Sequence, residues 1–267
     1  MSEALDGARV FLCLAFLTYA SWSDLKKREV SNMVWVAFAP LALALTSLQI
    51  FLFVPQLLLL YTLSFAATSA LSIVLFYAGA FGGADAKALI CLSLALPTYP
   101  IYFLQPFFTT VIPLFPITIF SNTVLLAALS VFYAITRNYL WKGRTGKRLF
   151  EGFEKESKWR KLLTILCGYK VEAAELEKGG YFYPLEDVHV GEDGETKRKL
   201  IVMPKDEERE EVIERILNAA GRGELPREVW VTPGLPFLIF ITAGFIVALI
   251  LGDIVWIILR LAIGQGS

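Results

Sequence analysis

The sequence predicts an all-α polytopic membrane protein with six transmembrane helices, plus a small α+β cytoplasmic domain inserted between helices 5 and 6. Three observations carry that prediction. First, 56% of the 267 residues are hydrophobic while the formal net charge is zero, a pairing uncommon in soluble domains. Second, the 55 residues from Val30 to Ala84 and the 49 from Ala88 to Thr136 hold no charged side chain. A span needs about 20 residues, so each run accommodates two helices. Third, residues 137–228 hold 19 of the 25 basic and 19 of the 25 acidic side chains, which marks a water-facing segment. The predicted organisation is a membrane domain over 1–137, a cytoplasmic domain over 138–232 and a last helix within 233–267.

The six spans are expected at 8–23, 33–52, 57–80, 86–104, 115–136 and 235–259. Phe53-Val54-Pro55-Gln56 separates the second from the third, and Pro97, Pro100, Pro106 and Pro113 crowd the link between the fourth and fifth. Residues 8–23 lack a basic leader and a small-residue cleavage site, and are read as a retained helix. Lys26, Lys27 and Arg28 follow helix 1, Lys87 lies at helix 4, and Arg137, Lys142, Arg144, Lys147 and Arg148 follow helix 5. Six spans put all of these on one side, which the positive-inside rule makes cytoplasmic. Only Arg9 and Arg260 lie near the opposite edges. The expectation is a multi-pass plasma-membrane protein with both termini external.

Within the soluble segment, Lys158 to Glu177 is predicted as a helix and Asp206 to Ala220 as another, with Val212, Ile213, Ile216 and Leu217 at helical spacing. Tyr181–Val190 and Lys197–Met203 alternate around Gly191-Glu192-Asp193-Gly194 and predict a hairpin. Glu228–Thr232 predicts a further strand, leading to Pro233-Gly234-Leu235-Pro236.

Cys13, Cys91 and Cys167 are isolated, without the paired spacing of a zinc site or disulfide framework. His189, the only histidine, falls in the alternating stretch as strand surface. Serine-histidine catalysis and histidine-rich metal sites are thereby disfavoured, and no metal or cofactor is expected. The balanced charge gives no nucleic-acid footprint.

Two acids stand at the edges of spans on the predicted cytoplasmic face: Asp24 at the end of helix 1 and Asp85 at the start of helix 4. A pair of carboxylates suits peptide hydrolysis, because one ionised group activates water while its protonated partner donates to the scissile carbonyl. Taken singly, Asp85 reads equally as a helix N-cap and Asp24 as a surface acid beside Lys27 and Arg28. Gly82 and Gly83 either admit a close backbone or form a flexible turn. Asp253 is predicted some 27 Å along helix 6, at the outer interface and away from the pair.

Asp24-Leu25-Lys26-Lys27-Arg28-Glu29-Val30-Ser31-Asn32 and Gly82-Gly83-Ala84-Asp85-Ala86-Lys87 resemble the two motifs of the type IV prepilin peptidase family, and within it the archaeal preflagellin peptidases. The first matches D-x-x-x-R-x-[IV]-x-N. The second is similar to the GxGD signature of intramembrane aspartyl proteases, with Ala84 in place of its second glycine. The resemblance implies Asp24 and Asp85 as the catalytic pair, with Gly82, Gly83, Ala84, Arg28, Asn32 and Lys87 as supporting positions. It also implies archaellin- or pilin-type precursors as substrates, each with a basic leader cut before an apolar helix, and a site facing both lipid bilayer and cytoplasm. Bacterial members that methylate the product carry paired CxxC motifs between helices 1 and 2, where this chain has only Leu25–Asn32, so peptidase activity alone is implied. A proline-containing start to helix 6 is similar to that of presenilin-like enzymes. The competing classes are an ion- or proton-coupled transporter, which calls for acids deep within spans, and a membrane anchor for the cytoplasmic domain.

Overall fold

The computed structural model describes residues 2–107, 113–177, 182–190, 196–201, 209–234 and 236–264. The chain divides into two units, one of residues 1–127 and 236–267, the other of residues 128–235.

The first unit opens with three long helices, α1 (Ser2–Lys27), α2 (Asn32–Phe53) and α3 (Leu58–Tyr77), the last preceded by the 3-10 turn Pro55–Leu57. All three are long and apolar enough to cross a membrane. α1 turns one face inward through Val10, Cys13, Leu17 and Ala20, and Phe16 stacks on Phe38 of α2 with ring centroids 4.7 Å apart. Outward stand Phe11, Trp22, Leu43, Leu59 and Tyr77, all exposed, as expected where the solvent is lipid.

α4 (Gly83–Ala95) has 13 residues, about 20 Å of rise against a hydrocarbon core of about 30 Å. The predicted helix 86–104 therefore stops early: Pro97 cannot continue it, and the exposed carbonyls of its last turn take side-chain donors instead. Arg9 Nη1 donates to the Ala95 carbonyl (3.1 Å), and Thr46 Oγ1 to those of Leu94 (2.8 Å) and Ala95 (3.0 Å). Arg9 is buried and paired with Asp6, which also accepts from Gln49 Nε2 at 2.8 Å.

The predicted helix 115–136 is interrupted at Leu129, giving α5 (Phe115–Ala128) and α6 (Ser130–Thr145). Helix 235–259 is also two pieces, α10 (Phe237–Leu251) and α11 (Ile254–Ala262), bent by 63° at Gly252-Asp253. Gly252 has φ +87°, a left-handed conformation that ends a helix, and Asp253 then caps α11 by accepting from the Trp256 N–H at 3.0 Å. Asn122 satisfies the broken backbone, donating to Gly252 O (2.8 Å) and accepting from the Ile254 N–H (3.1 Å). Asp253 is buried, with a capping role. Four helical runs among the described residues meet the length and hydropathy of a span, or five if the bent pair counts as one, against the six expected.

α10 lies so close to α5 that a Cβ on Gly244 would stand 2.3 Å from Thr123 Oγ1 and 2.8 Å from the Thr123 amide nitrogen. Backbone cannot yield as a side-chain tip can. Gly244→Ala is expected to destabilise this unit by about 1–3 kcal/mol, read as a lowered thermal midpoint in detergent.

In the second unit, α6 is followed by α7 (Lys158–Cys167), β1 (Tyr169–Glu172), α8 (Ala174–Glu177), β2 (Phe182–Pro184), β3 (Glu186–Val190), β4 (Thr196–Leu200), α9 (Arg209–Gly221) and β5 (Glu228–Pro233). β5 runs antiparallel between β1 and β2, and β3 pairs with β4 with His189 opposite Lys197. The predicted helix 158–177 is thus a helix, a strand and a short helix. Gly168 marks the break: a Cβ there would lie 2.4 Å from the Val231 carbonyl oxygen, so the strand pairing needs glycine. The predicted strand 181–190 divides at Leu185, whose N–H pairs with Trp230 O at 2.9 Å. Tyr181, the hairpin turn 191–194, residues 202–203, the start of helix 206–220 and Leu235 lie outside the described residues.

Val212, Ile216 and Ala219 of α9 share one buried cluster with Val188, Val229 and Val231, while Phe153, Leu185, Leu200 and Trp230 form a second core. Asp187 is pushed up by burial, but the Arg215 guanidinium (2.9 and 3.0 Å) and the Val188 N–H outweigh this and hold it below the usual carboxylate range. His189 is exposed on its strand, its Nε2 3.2 Å from Asp187.

Candidate active site

Asp24 sits in the last turn of α1. That helix ends because Arg28 adopts φ +56°, a left-handed terminus, while its N–H still reaches the Asp24 carbonyl at 2.9 Å. Ser23 Oγ donates to Glu29 O (2.8 Å) and ties the turn back on the helix. The Arg28 guanidinium lies within electrostatic reach of the Asp24 carboxylate.

Asp85 is the third residue of α4, and Gly82 occupies the N-cap. The reading of Asp85 as an N-cap is corrected by three positions. Its Oδ2 accepts from the Gly82 N–H at 3.0 Å, the reaching-back half of a capping box, while glycine leaves the other half without a side chain. A Cβ on Gly82 would sit 3.1 Å from that same oxygen, whereas one on Gly83 would meet only Phe76 at an ordinary 3.7 Å. Gly82→Ala is therefore expected to displace the Asp85 carboxylate, and Gly83→Ala to leave it in place, read from the structures of the two variants.

α4 contacts α1, α2, α3 and α10, and the Asp24 charge acts on Asp85. Asn32 is the first residue of α2, after the N-cap Ser31, and accepts from Lys87 Nζ at 2.7 Å, which joins the ends of α2 and α4. Ala84 packs against the core beside them. All eight positions singled out in the sequence thus fall at the neighbouring ends of α1, α2 and α4.

The start of α10 is the part that sequence reasoning undervalued. Its second residue, Leu238, turns its backbone N–H to the Asp24 carboxylate, and its first, Phe237, packs on Phe81 with centroids 5.1 Å apart, just ahead of Gly82. The signal was Pro233-Gly234-Leu235-Pro236, whose last residue is the N-cap. Among the described residues, no three His, Cys, Asp or Glu side chains converge as a metal cluster.

The class of protein follows from comparison with known proteins. Residues 11–136 match the type IV leader peptidase family, and residues 160–254 match the archaeal peptidase A24 C-terminus, type II. A preflagellin peptidase of Methanococcus voltae is 29% identical over 242 residues, covering 89% of this chain and 92% of that protein. Another from Methanococcus maripaludis is 25% identical over 248 residues, with the same coverage. Together these matches support the type IV leader peptidase family for this chain, and a membrane protease of the aspartic class.

Proposed function

We propose that this chain removes the leader peptide from preflagellin-type precursors, using Asp24 and Asp85 as a catalytic dyad. The observation that carries this reading is that the Asp24 charge, at the end of α1, acts on Asp85 of α4, in a chain whose relatives are preflagellin peptidases. Two neighbouring carboxylates share one proton and titrate as a pair. The ionised member takes a proton from water as its oxygen attacks the scissile carbonyl carbon, and the protonated member donates to the carbonyl oxygen. Collapse of the tetrahedral intermediate breaks the C–N bond, with a proton passing to the departing amine.

The basic residues after α1, at α4 and after α5 support a cytoplasmic placement of this site and of the soluble unit, with both termini external. A site at that interface suits a bond where a basic leader meets an apolar helix, because water reaches it there. The Lys87–Asn32 contact holds α4 to α2, and Arg28 sets the local charge at Asp24.

The test is to incubate the purified full chain with a preflagellin precursor and map the cut by mass spectrometry. The expected result is one cut at the junction of leader and apolar helix, lost in Asp24→Ala and in Asp85→Ala. An inert wild-type chain, or a variant that cleaves as well, would sink the reading.

A further inference from the structure

Leu238 is held at both ends of its own backbone. Its N–H, one of the first four in α10 without an intrahelical acceptor, faces the Asp24 carboxylate. Its carbonyl accepts from two hydroxyls, Ser21 Oγ of α1 at 3.0 Å and Thr242 Oγ1 at 2.9 Å, and these hydroxyls lie 2.7 Å from each other. Thr242 Oγ1 also stands 3.4 Å from Leu17 O. On α1, Leu17, Ser21 and Asp24 follow the i, i+4, i+7 spacing of one helical face, and on α10, Leu238 and Thr242 follow i, i+4.

We propose that Ser21 and Thr242 are positioning residues for Asp24, a hydroxyl latch that fixes the first turn of α10 so that the Leu238 N–H holds the carboxylate in one orientation. The inference rests on the catalytic reading of Asp24 given above. Leu238 is fully buried, so a slide or rotation of α10 along α1 that broke the latch would also withdraw the N–H from Asp24. The Leu238 carbonyl is already the acceptor for its own helix, so the hydroxyls are not needed to satisfy it. Their added effect is registry between two helices at the point where one carries a reacting group. A carboxylate freed from that contact samples other rotamers, and a misplacement of about 1 Å at a reacting group can cost on the order of 100-fold in rate.

Thr242→Val keeps the shape and removes the hydroxyl; Ser21→Ala removes the other; Thr242→Ser keeps the hydroxyl. Each is assayed as the purified full chain on a preflagellin precursor, beside wild type and Asp24→Asn. Expected are a fall in kcat of about tenfold or more for Thr242→Val and Ser21→Ala, with KM and the thermal midpoint unchanged, and wild-type kcat for Thr242→Ser. Wild-type kcat in Thr242→Val or Ser21→Ala overturns the latch, and so does a loss of kcat that merely tracks a lowered thermal midpoint. Should Thr242→Val fail to fold, the smaller Ser21→Ala change carries the test. If Asp24→Asn cleaves like wild type, the catalytic reading itself has failed. If Asp24→Asn is inert while both hydroxyl variants are fast, the latch alone has failed.

Discussion

Asp24→Asn, Asp85→Asn and the double variant are expected to fall to the same residual rate of precursor cleavage, on the order of 10²–10⁴-fold or more below wild type. Asparagine keeps the shape of the side chain, so packing around the ends of α1 and α4 survives. What is lost is the proton traffic: an amide neither takes the proton of water nor donates a carboxyl proton to the scissile carbonyl. In the proposed dyad the two groups act as one unit, so removing the first disables the second and the double variant is expected to lose little more. Two independent structural acids would behave otherwise, with losses that add. Single-turnover rates of the three variants, with thermal midpoints as a control for folding, separate these outcomes.

The largest expected effect on stability lies in the second unit. Glu186 is fully buried, and its carboxylate accepts from Arg198 Nη2 at 2.8 Å on both oxygens and from the Trp230 N–H at 3.2 Å. Burial pushes this carboxyl above its ordinary range, while the Arg198 guanidinium opposes the shift. Arg198→Met leaves the carboxyl buried without its cation and is expected to cost about 3–5 kcal/mol of local stability. The sign with pH follows. An acid whose folded value is raised destabilises the fold once pH passes its unfolded value, and protonation relieves it. The penalty in Arg198→Met should therefore shrink as pH falls. Hydrogen exchange across β3, β4 and β5 in the intact chain measures both effects, and Glu186→Leu combined with Arg198→Met should recover part of the loss.

What could be read from the sequence followed the range of the forces involved. α1, α2 and α3 were legible because a membrane helix must satisfy its backbone internally, so long apolar runs without charge admit only one answer. Hydropathy does not see local breaks. Leu96-Pro97 ends α4 and Gly252-Asp253 splits the last span, yet neither changes the apolar average over the window. Each was present as turn chemistry: proline that cannot continue a helix, and glycine followed by an aspartate N-cap. The helix predicted at 158–177 failed at Gly168 for a different reason, since what demands glycine there is the Val231 carbonyl, 63 residues later in the chain. The eight positions proposed for the site could be singled out from the sequence because they are local patterns at span edges. The contribution of α10 was not. Ser21, Leu238 and Thr242 are common residues in apolar helices, and only the fold brings together positions 217 and 221 residues apart.

The most direct measurement of the dyad uses a peptide spanning the leader junction in which a tetrahedral hydroxyl group replaces the scissile carbonyl. One hydroxyl between two carboxyls mimics the transition state, and such mimics bind at least about 100-fold more tightly than substrate. Calorimetric titration of the purified full chain should show tight binding that Asp24→Asn and Asp85→Asn each weaken to about the level of the unmodified peptide. Undiminished affinity in either variant would contradict the account, because that carboxyl would then not face the reacting carbon.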